Sequence, residues 1–171
     1  MHGSPRFFLP FLSLFFALPA LAADPLAKAD AAFLQMAAMG GMMEVKMGEL
    51  AKDHAEAQDV KDFGARMVRD HGKANDGLLE LAHKKNATMP AAIAGHHARM
   101  IEKMAKLNGG AFDKAYIAGM VKDHKKDVAM FRAKAKTLQD PELKKWAEDT
   151  LPTLEDHLKA VQEIAMKLKI K

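Results

Sequence analysis

Apolar residues recur at steps of three and four through four long stretches of this chain, which is the spacing of amphipathic helices that bury one face. Residues that favour helix starts support the assignment, because Asp59 and Asp140 are good N-cap residues and Pro141 suits the first helical position. The connection over 87–110 is long and contains a shorter helical pattern over 91–107. The four main helices are predicted over residues 28–54, 59–86, 111–137 and 141–169.

The lengths of the connections distinguish between helical folds. Helices 1 and 2, and helices 3 and 4, are joined by short links that make neighbours antiparallel, whereas helices 2 and 3 are joined by a long crossover. The sequence therefore predicts an all-α fold, a ferritin-like four-helix bundle with a long crossover between helices 2 and 3 that contains a short extra helix.

The first 22 residues follow a different pattern from the rest. A single positive charge in Met1–Arg6 precedes the apolar run Phe7–Leu18 and the small-x-small sequence Ala20–Ala22, an arrangement typical of a cleavable secretory signal peptide. The run is shorter than the roughly 20 residues of a membrane-spanning helix, and nothing after it is long or apolar enough to span. We therefore expect a signal peptide at 1–22, one domain at 23–171, and a periplasmic or secreted location, with peripheral envelope association left open.

Composition narrows the classes of partner. The formal net charge of +4 is spread along the helices as mixtures of Lys with Asp or Glu, whereas a nucleic-acid binder concentrates basic residues in a patch interleaved with aromatic residues. The sequence has no cysteine, so packing or a bound metal must stabilise an exported domain without disulfide bonds. We expect no nucleic-acid partner and a solvated surface with some affinity for anionic envelope components. The sequence does not identify a protein partner.

The most distinctive motif is a recurring Asp-His dipeptide, which includes four of the eight histidines. Two copies lie in the related segments Met67–His71 and Met120–His124. Helical spacing places the histidines of the last three copies on apolar faces, whereas His54 lies at a helix end and is expected to face solvent. The four copies are Asp53-His54, Asp70-His71, Asp123-His124 and Asp156-His157.

The inward histidines lie at nearly the same level of the predicted bundle. His71, His124 and His157 are each close to the middle of their helices, and Glu44 is the only charged residue on the apolar stripe of helix 1. At a rise of about 1.5 Å per residue, all four side chains lie within roughly 4.5 Å of a common level. One carboxylate and three imidazoles suit Zn(II), Cu(II), Fe(II) or Mn(II). Neighbouring aspartates are candidate hydrogen-bond acceptors for these ligands: Asp70, Asp123 and Asp156.

Other interpretations of this constellation are open. Buried polar groups can hydrogen-bond one another and fix the register of the helices without any metal. Methionines of helix 1, between Met36 and Met47, can hold Cu(I) through thioethers, but their helical spacing favours core packing. A di-iron enzyme is disfavoured, because it requires Glu-x-x-His motifs and the positions three before the inward histidines hold Val, Val and Leu.

Several short segments are similar to a known family. They are Phe33–Gln35, Gly40–Val45, Val60–Phe63, Arg66–His71, Lys73–Asn75 and Ala115–Ile117, the last leading to Asp123-His124. They resemble a large family of exported bacterial ferritin-like proteins, catalogued as a domain of unknown function, whose members are often labelled membrane or outer-membrane proteins. The resemblance covers nearly the whole mature chain and implies a four-helix ferritin-like fold in the envelope, but no activity. The positions that match the family pattern are Glu44, Asp70, His71, His124 and His157.

The leading hypothesis is a periplasmic or secreted, non-enzymatic helical bundle that takes part in metal handling or envelope stress. It binds one transition-metal ion, Zn, Cu or Fe, between Glu44, His71, His124 and His157. The runner-up is a structural or interaction module of the envelope whose polar core only sets helix register. An enzyme that turns over peroxide or O₂ with bound iron is the third hypothesis.

Overall fold

The computed structural model describes residues 25–170, and the regular secondary structure of this part is entirely helical. The predicted all-α class is therefore confirmed. The main helices begin and end within a few residues of their predicted bounds, and the crossover contains the short helix. The five helices are α1 (Lys28–His54), α2 (Gln58–Lys84), α3 (Gly95–Met104), α4 (Gly109–Thr137) and α5 (Pro141–Lys167).

The predicted signal peptide at 1–22 lies outside the described residues, as does the start of the predicted domain at 23–171. Within the part that is described, no helix is both long enough and apolar enough to cross a membrane.

Two pairs of helices build the fold. α1 packs along α2, and α4 packs along α5, while contacts between α2 and α5 and between α1 and α4 join the pairs. The first pair is close enough that a Cβ on Gly48 would lie 2.5 Å from the carbonyl oxygen of Gly64. Glycine is therefore required at this crossing, because any larger side chain would push the helices apart.

Each short link is held by a buried aspartate from the opposite pair of helices. Asp113 of α4 accepts hydrogen bonds from the backbone N–H groups of Glu56 and Ala57, at 3.1 and 2.9 Å. Asp30 of α1 accepts from the N–H groups of Gln139 and Asp140, at 2.9 and 2.7 Å. Backbone donors that would otherwise lack partners are thereby satisfied at both links.

The two predicted N-caps have different outcomes. Asp140 caps α5 as expected, because its side chain accepts from the N–H groups of Glu142 and Leu143 at 3.0 and 2.9 Å, with Pro141 in the first turn. The prediction for Asp59 is wrong, since α2 already begins at Gln58 and its N-cap residue makes no side-chain capping bond. The link ahead of α2 is instead held by the carboxylate of α4 described above.

His54 is also placed differently from the expectation that it faces solvent. It is half-buried at the end of α1, where its Nδ1 lies 2.8 Å from the carbonyl oxygen of Leu107. Its ring stacks on Phe112 at a centroid distance of 5.7 Å. His54 therefore ties the end of α1 to the segment that leads into α4.

The interior consists of two apolar clusters with a polar layer between them. One cluster is centred on Phe33, Leu34 and Phe131, and the other on Phe63 and Phe112. Along α2, α4 and α5 the buried histidine falls between residues of the first cluster and residues of the second. The histidines on these helices are His71, His124 and His157.

Candidate metal centre

Three imidazoles from three helices meet in the polar layer. His71 is 7% exposed, and His124 and His157 are fully buried. Each ring offers one nitrogen within 4.8 Å of a nitrogen on both other rings, and the ring centroids are 5.3 to 5.9 Å apart. The structure thus brings together the three histidines that helical spacing places on apolar faces.

Hydrogen bonds fix which nitrogen of two rings carries the proton. The Nδ1 of His124 lies 3.0 Å from the carbonyl oxygen of Met120, to which it donates. The Nε2 of His157 lies 2.9 Å from the Oδ2 of Asp70 on α2, to which it donates. The other nitrogen of each ring therefore carries a lone pair, because a neutral imidazole has one donor and one acceptor.

One buried nitrogen on every ring has no hydrogen-bond partner among residues 25–170. These atoms are Nε2 of His71, Nε2 of His124 and Nδ1 of His157. Buried polar atoms are normally paired, and a metal-ligating histidine typically donates its second nitrogen to a carbonyl or carboxylate while the first points at the ion. His124 and His157 have this second arrangement: one nitrogen donates to a carbonyl or carboxylate oxygen, and the other has no partner.

Burial keeps these rings neutral. Desolvation, followed by the proximity of His124 and His157, lowers the pKa of His71 to about 3. Desolvation, with a smaller contribution from His157, lowers the pKa of His124 to about 4. Burial also lowers the pKa of His157, although its hydrogen bond to Asp70 opposes this shift. At neutral pH all three side chains are neutral imidazoles with one nitrogen lone pair free to bind a metal, as metal binding requires.

The three aspartates of the repeated dipeptide have different surroundings. Asp70 contacts the ring of His157 rather than that of its own neighbour, and Arg66 and Arg69 also donate to it, at 3.2 and 2.9 Å. Although burial opposes the shift, these hydrogen bonds hold the pKa of Asp70 below its usual range. Asp123 is partly buried and lies 3.7 Å from Lys126, and Asp156 is exposed. Within the described chain, neither accepts a hydrogen bond from a histidine ring.

Glu44 faces inward as predicted, with 1% of its surface exposed. Neither carboxylate oxygen has a hydrogen-bond partner in the described part of the chain. Among residues 25–170, the one group of three or more ligand atoms that lie within 4.8 Å of one another belongs to the three histidines alone. The carboxylate of Glu44 is not part of it. Burial, and then the charges of Asp127 and Asp123, raise the pKa of Glu44 well above its usual range.

Asp127 and Tyr116 belong to the polar layer, although the sequence pattern does not predict a functional role for either. Burial, and then the charge of Asp123, raise the pKa of Asp127 to about 6. The hydroxyl of Tyr116 is buried without a partner in the described chain, and burial followed by the charge of Glu44 raises its pKa. Position 127 lies beside the apolar stripe of α4, so periodicity gives little signal for it. Tyr116 lies on that stripe, where an aromatic residue normally indicates core packing.

A cavity of about 370 Å³ between α2 and α5 reaches the histidines from the surface. His71 and His157 form part of its wall together with Lys73, Trp146 and Asp149. The Trp146 ring is fixed by the hydrogen bond from its Nε1 to the carbonyl oxygen of Ala74, at 3.2 Å. The cavity therefore reaches the edges of two of the three imidazoles, whereas their unpartnered nitrogens remain buried.

Solved structures with similar folds come from several helical proteins. A DUF305 fragment from Deinococcus radiodurans has a TM-score of 0.72 and 12% identity, over 84% of this chain and 99% of that chain. A DUF305 protein from Streptomyces coelicolor, described as secreted, has a TM-score of 0.71 and 13% identity, over 84% of this chain and 95% of that chain. CopM in its Cu(I)-bound form has a TM-score of 0.67 and 17% identity, over 81% of this chain and 96% of that chain.

These identities are low, so the three structures show that the fold is shared and no more. The sequence matches no curated protein. A family model for a domain of unknown function, DUF4142, matches residues 16–164. This match includes all of the helices except the end of α5, and the chain therefore belongs to the DUF4142 family.

Proposed function

We propose that this protein is an exported metal-binding protein that holds one copper ion between His71, His124 and His157. The observation that carries the proposal is the set of three buried ring nitrogens, one on each histidine, that lack hydrogen-bond partners in the described chain. Three rings with ligand atoms within 4.8 Å of one another suit a single ion. Glu44 remains the proposed fourth ligand from sequence, and the three imidazoles do not depend on it.

The groups behind the rings support this assignment. The carbonyl of Met120 orients His124, and the carboxylate of Asp70 orients His157. Such partners fix the tautomer and raise the basicity of the ligating nitrogen. Asp70 is therefore proposed as the outer partner of the centre, whereas Asp123 and Asp156 remain candidates from sequence alone.

The charge of the site favours copper among the candidates Zn, Cu and Fe. All three imidazoles are neutral and lie between apolar clusters, where an uncompensated charge is costly. A monovalent ion such as Cu(I) requires less charge compensation than Zn(II) or Fe(II). For divalent ions, Cu(II) also binds nitrogen ligands more tightly than Zn(II) or Fe(II). The similarity of fold to CopM, solved in Cu(I)-bound, Cu(II)-bound and Ag-bound forms, is consistent with this choice.

The setting of this activity follows from sequence. The predicted signal peptide at 1–22 and the secreted DUF305 neighbour support a periplasmic or secreted location. We assign the helices to a ferritin-like four-helix bundle, because the long crossover with α3 separates two antiparallel pairs. We propose metal handling in the cell envelope, without an enzymatic step.

Metal titration of the untagged mature protein tests the proposal. Competition with a chromophoric Cu(I) chelator, together with elemental analysis, should show one copper per chain. His124→Ala should weaken binding by at least tenfold, because one of three ligands is lost. The matched control is His83→Ala, which removes an exposed histidine of α2 and should leave affinity unchanged. Zn²⁺ in place of copper would correct the identity of the ion, and no metal at all would refute the proposal.

The alternative function is a structural or interaction module with a polar core that sets helix register. The specific observation in its favour is the cross-helix hydrogen bond between Asp70 and His157, which joins α2 to α5 without any metal. In that case copper and zinc leave the melting temperature unchanged. A rise in melting temperature that the His124→Ala variant lacks would exclude this alternative, since only a ligand that binds the folded state stabilises it.

A further inference from the structure

A second, smaller cavity lies on the other side of His71. It has a volume of about 40 Å³, and every long helix contributes an oxygen-bearing side chain to its wall. Glu44 comes from α1, Asn75 from α2, Asp127 from α4 and Thr150 from α5. The sequence groups none of these four residues together.

We propose that this cavity is a second cation site, which binds a hard divalent ion such as Mn²⁺ through the oxygens of Glu44, Asn75, Asp127 and Thr150. The site uses none of the three imidazoles. Glu44, which the sequence alone offers as a fourth copper ligand, is assigned here to the second site. This proposal goes beyond the proposed function and does not depend on copper binding to the histidines.

The unpartnered carboxylate of Glu44 is the first argument. Glu44 is 1% exposed, lines the cavity, and has no hydrogen-bond partner for either oxygen among the described residues. No Lys or Arg nitrogen between residues 25 and 170 lies within 4.0 Å of this carboxylate or that of Asp127. An isolated buried carboxylate is costly unless it is paired or coordinates a metal.

The balance of charge is the second argument. Glu44 and Asp127 both line this small cavity, one from α1 and the other from α4. Two ionised carboxylates at one cavity carry a charge of −2, which a single divalent ion neutralises. A cation between them therefore removes both the repulsion and the cost of burial.

The donor atoms are the third argument, because they select a class of ion. The hydroxyl of Thr150 donates to the carbonyl oxygen of Trp146 at 2.7 Å, which leaves its lone pairs available. Carboxylate, amide and hydroxyl oxygens suit Mg²⁺, Ca²⁺ and Mn²⁺. Mn²⁺ belongs to this class of ion, and His71, which also borders the cavity, is left to the three-imidazole centre.

The size of the cavity and the residue at position 41 agree with this assignment. A cavity needs roughly 10–15 Å³ on this measure to hold one water molecule, so a cavity of about 40 Å³ accommodates one ion. A Cβ on Gly41 would lie 2.1 Å from the Oδ1 of Asn75. Glycine at this position therefore gives the Asn75 side chain room to lie in the cavity wall.

Electron paramagnetic resonance of free Mn²⁺ tests the proposal on the full mature chain. Added Mn²⁺ should lose its free signal up to one equivalent of protein. Glu44→Gln and Asp127→Asn should each weaken binding by at least tenfold, because each removes one negative charge while preserving size. Glu49→Gln, an exposed carboxylate of the same helix, is the matched control and should bind as the wild type does.

Two further variants complete the test. His124→Ala should lose copper but keep Mn²⁺, which separates failure of the proposed function from failure of the second site. Gly41→Ala should weaken Mn²⁺ binding with all carboxylates intact, because it displaces Asn75. Circular dichroism establishes whether each variant is folded. If Glu44→Gln does not fold, the Mn²⁺ affinity of Asp127→Asn decides the test. A free Mn²⁺ signal equal to that of buffer, or binding that survives both carboxylate substitutions, would overturn the proposal.

Discussion

The apolar clusters and the polar layer between them differ in how their side chains affect stability. In the clusters, residues such as Phe33 and Phe63 are stabilised by contact area, and their side chains have no polar atom that needs a partner. In the layer, Glu44, Tyr116 and the three histidines bury polar atoms that lack partners in the described chain. Unpartnered buried polar atoms lower the free energy of unfolding when no ligand is bound. The clusters therefore hold the helices together, and the proposed metal sites account for the unpartnered atoms of the layer.

The largest effect is expected from a change in an apolar cluster. Phe33 is fully buried, and its ring meets that of Phe131 edge-on at 5.3 Å. Phe33→Ala should lower the free energy of unfolding by about 3–5 kcal/mol, through lost transfer energy and the cavity that remains. Urea unfolding measures this loss, with exposed Met166→Ala as the control at about 0.5 kcal/mol or less.

The folded fraction of the Phe33→Ala variant should still bind copper with wild-type affinity, since Phe33 is not part of the polar layer. A loss of affinity as large as that of His124→Ala would show that the clusters and the layer do not act separately.

The next effect is a dependence of stability on pH that belongs to the layer. The pKa values of His71 and His124 are about 3 and about 4 in the folded protein, against about 6.5 in an unfolded chain. Between pH 6.5 and about 4 these two histidines therefore bind more protons in the unfolded state, and their contribution to stability falls as the pH is lowered. Each histidine contributes about 1.4 kcal/mol per pH unit in this window.

Glu44 contributes with the opposite sign. Its pKa is raised in the folded state, so the stability that it provides is present at low pH and is lost as the pH rises above about 4.5. Unfolding of the metal-free protein at several pH values should therefore show a steeper acid loss in Glu44→Gln than in the wild type. A stability of Glu44→Gln that is constant between pH 7 and 5 would contradict the buried, neutral state of the histidines, because the main opposing group is absent from that variant.

The smallest effect is expected from making the layer apolar. Replacing His71 and His124 together by Leu should leave the metal-free protein as stable as the wild type or more stable by about 2 kcal/mol, because buried polar groups often give way to apolar packing without loss. The acid sensitivity described above should largely disappear in this variant. Thermal and urea unfolding measure both effects, and a variant that fails to fold would show that the histidines are structural.

Periodicity along single helices predicted much of this molecule, but not the contacts between helices. The 3.6-residue repeat located four long helices and placed His71, His124, His157 and Glu44 inward, because burial of one helical face is a local pattern. It could not show that Asp70 contacts the ring of His157 instead of that of His71. That contact depends on how α2 and α5 are rotated against each other.

Contacts between residues far apart in the sequence also explain the missed features. Asp113 and Asp30 hold the links between helices from positions more than fifty residues away, so no local capping motif reveals them. Asp127 lies beside the apolar stripe of α4 and resembles an ordinary surface carboxylate in the sequence. It joins the polar layer only because the packing of the helices places it with Glu44 in the wall of one cavity.

X-ray absorption spectroscopy of the copper-loaded protein tests the central claim most directly, because it identifies the atoms bound to the ion. We expect nitrogen neighbours with the outer-shell pattern of three imidazoles, reduced to two in His157→Ala and unchanged in His83→Ala. Sulfur neighbours from the methionines of α1, or a spectrum that His71→Ala, His124→Ala and His157→Ala all leave unaltered, would contradict the three-histidine centre.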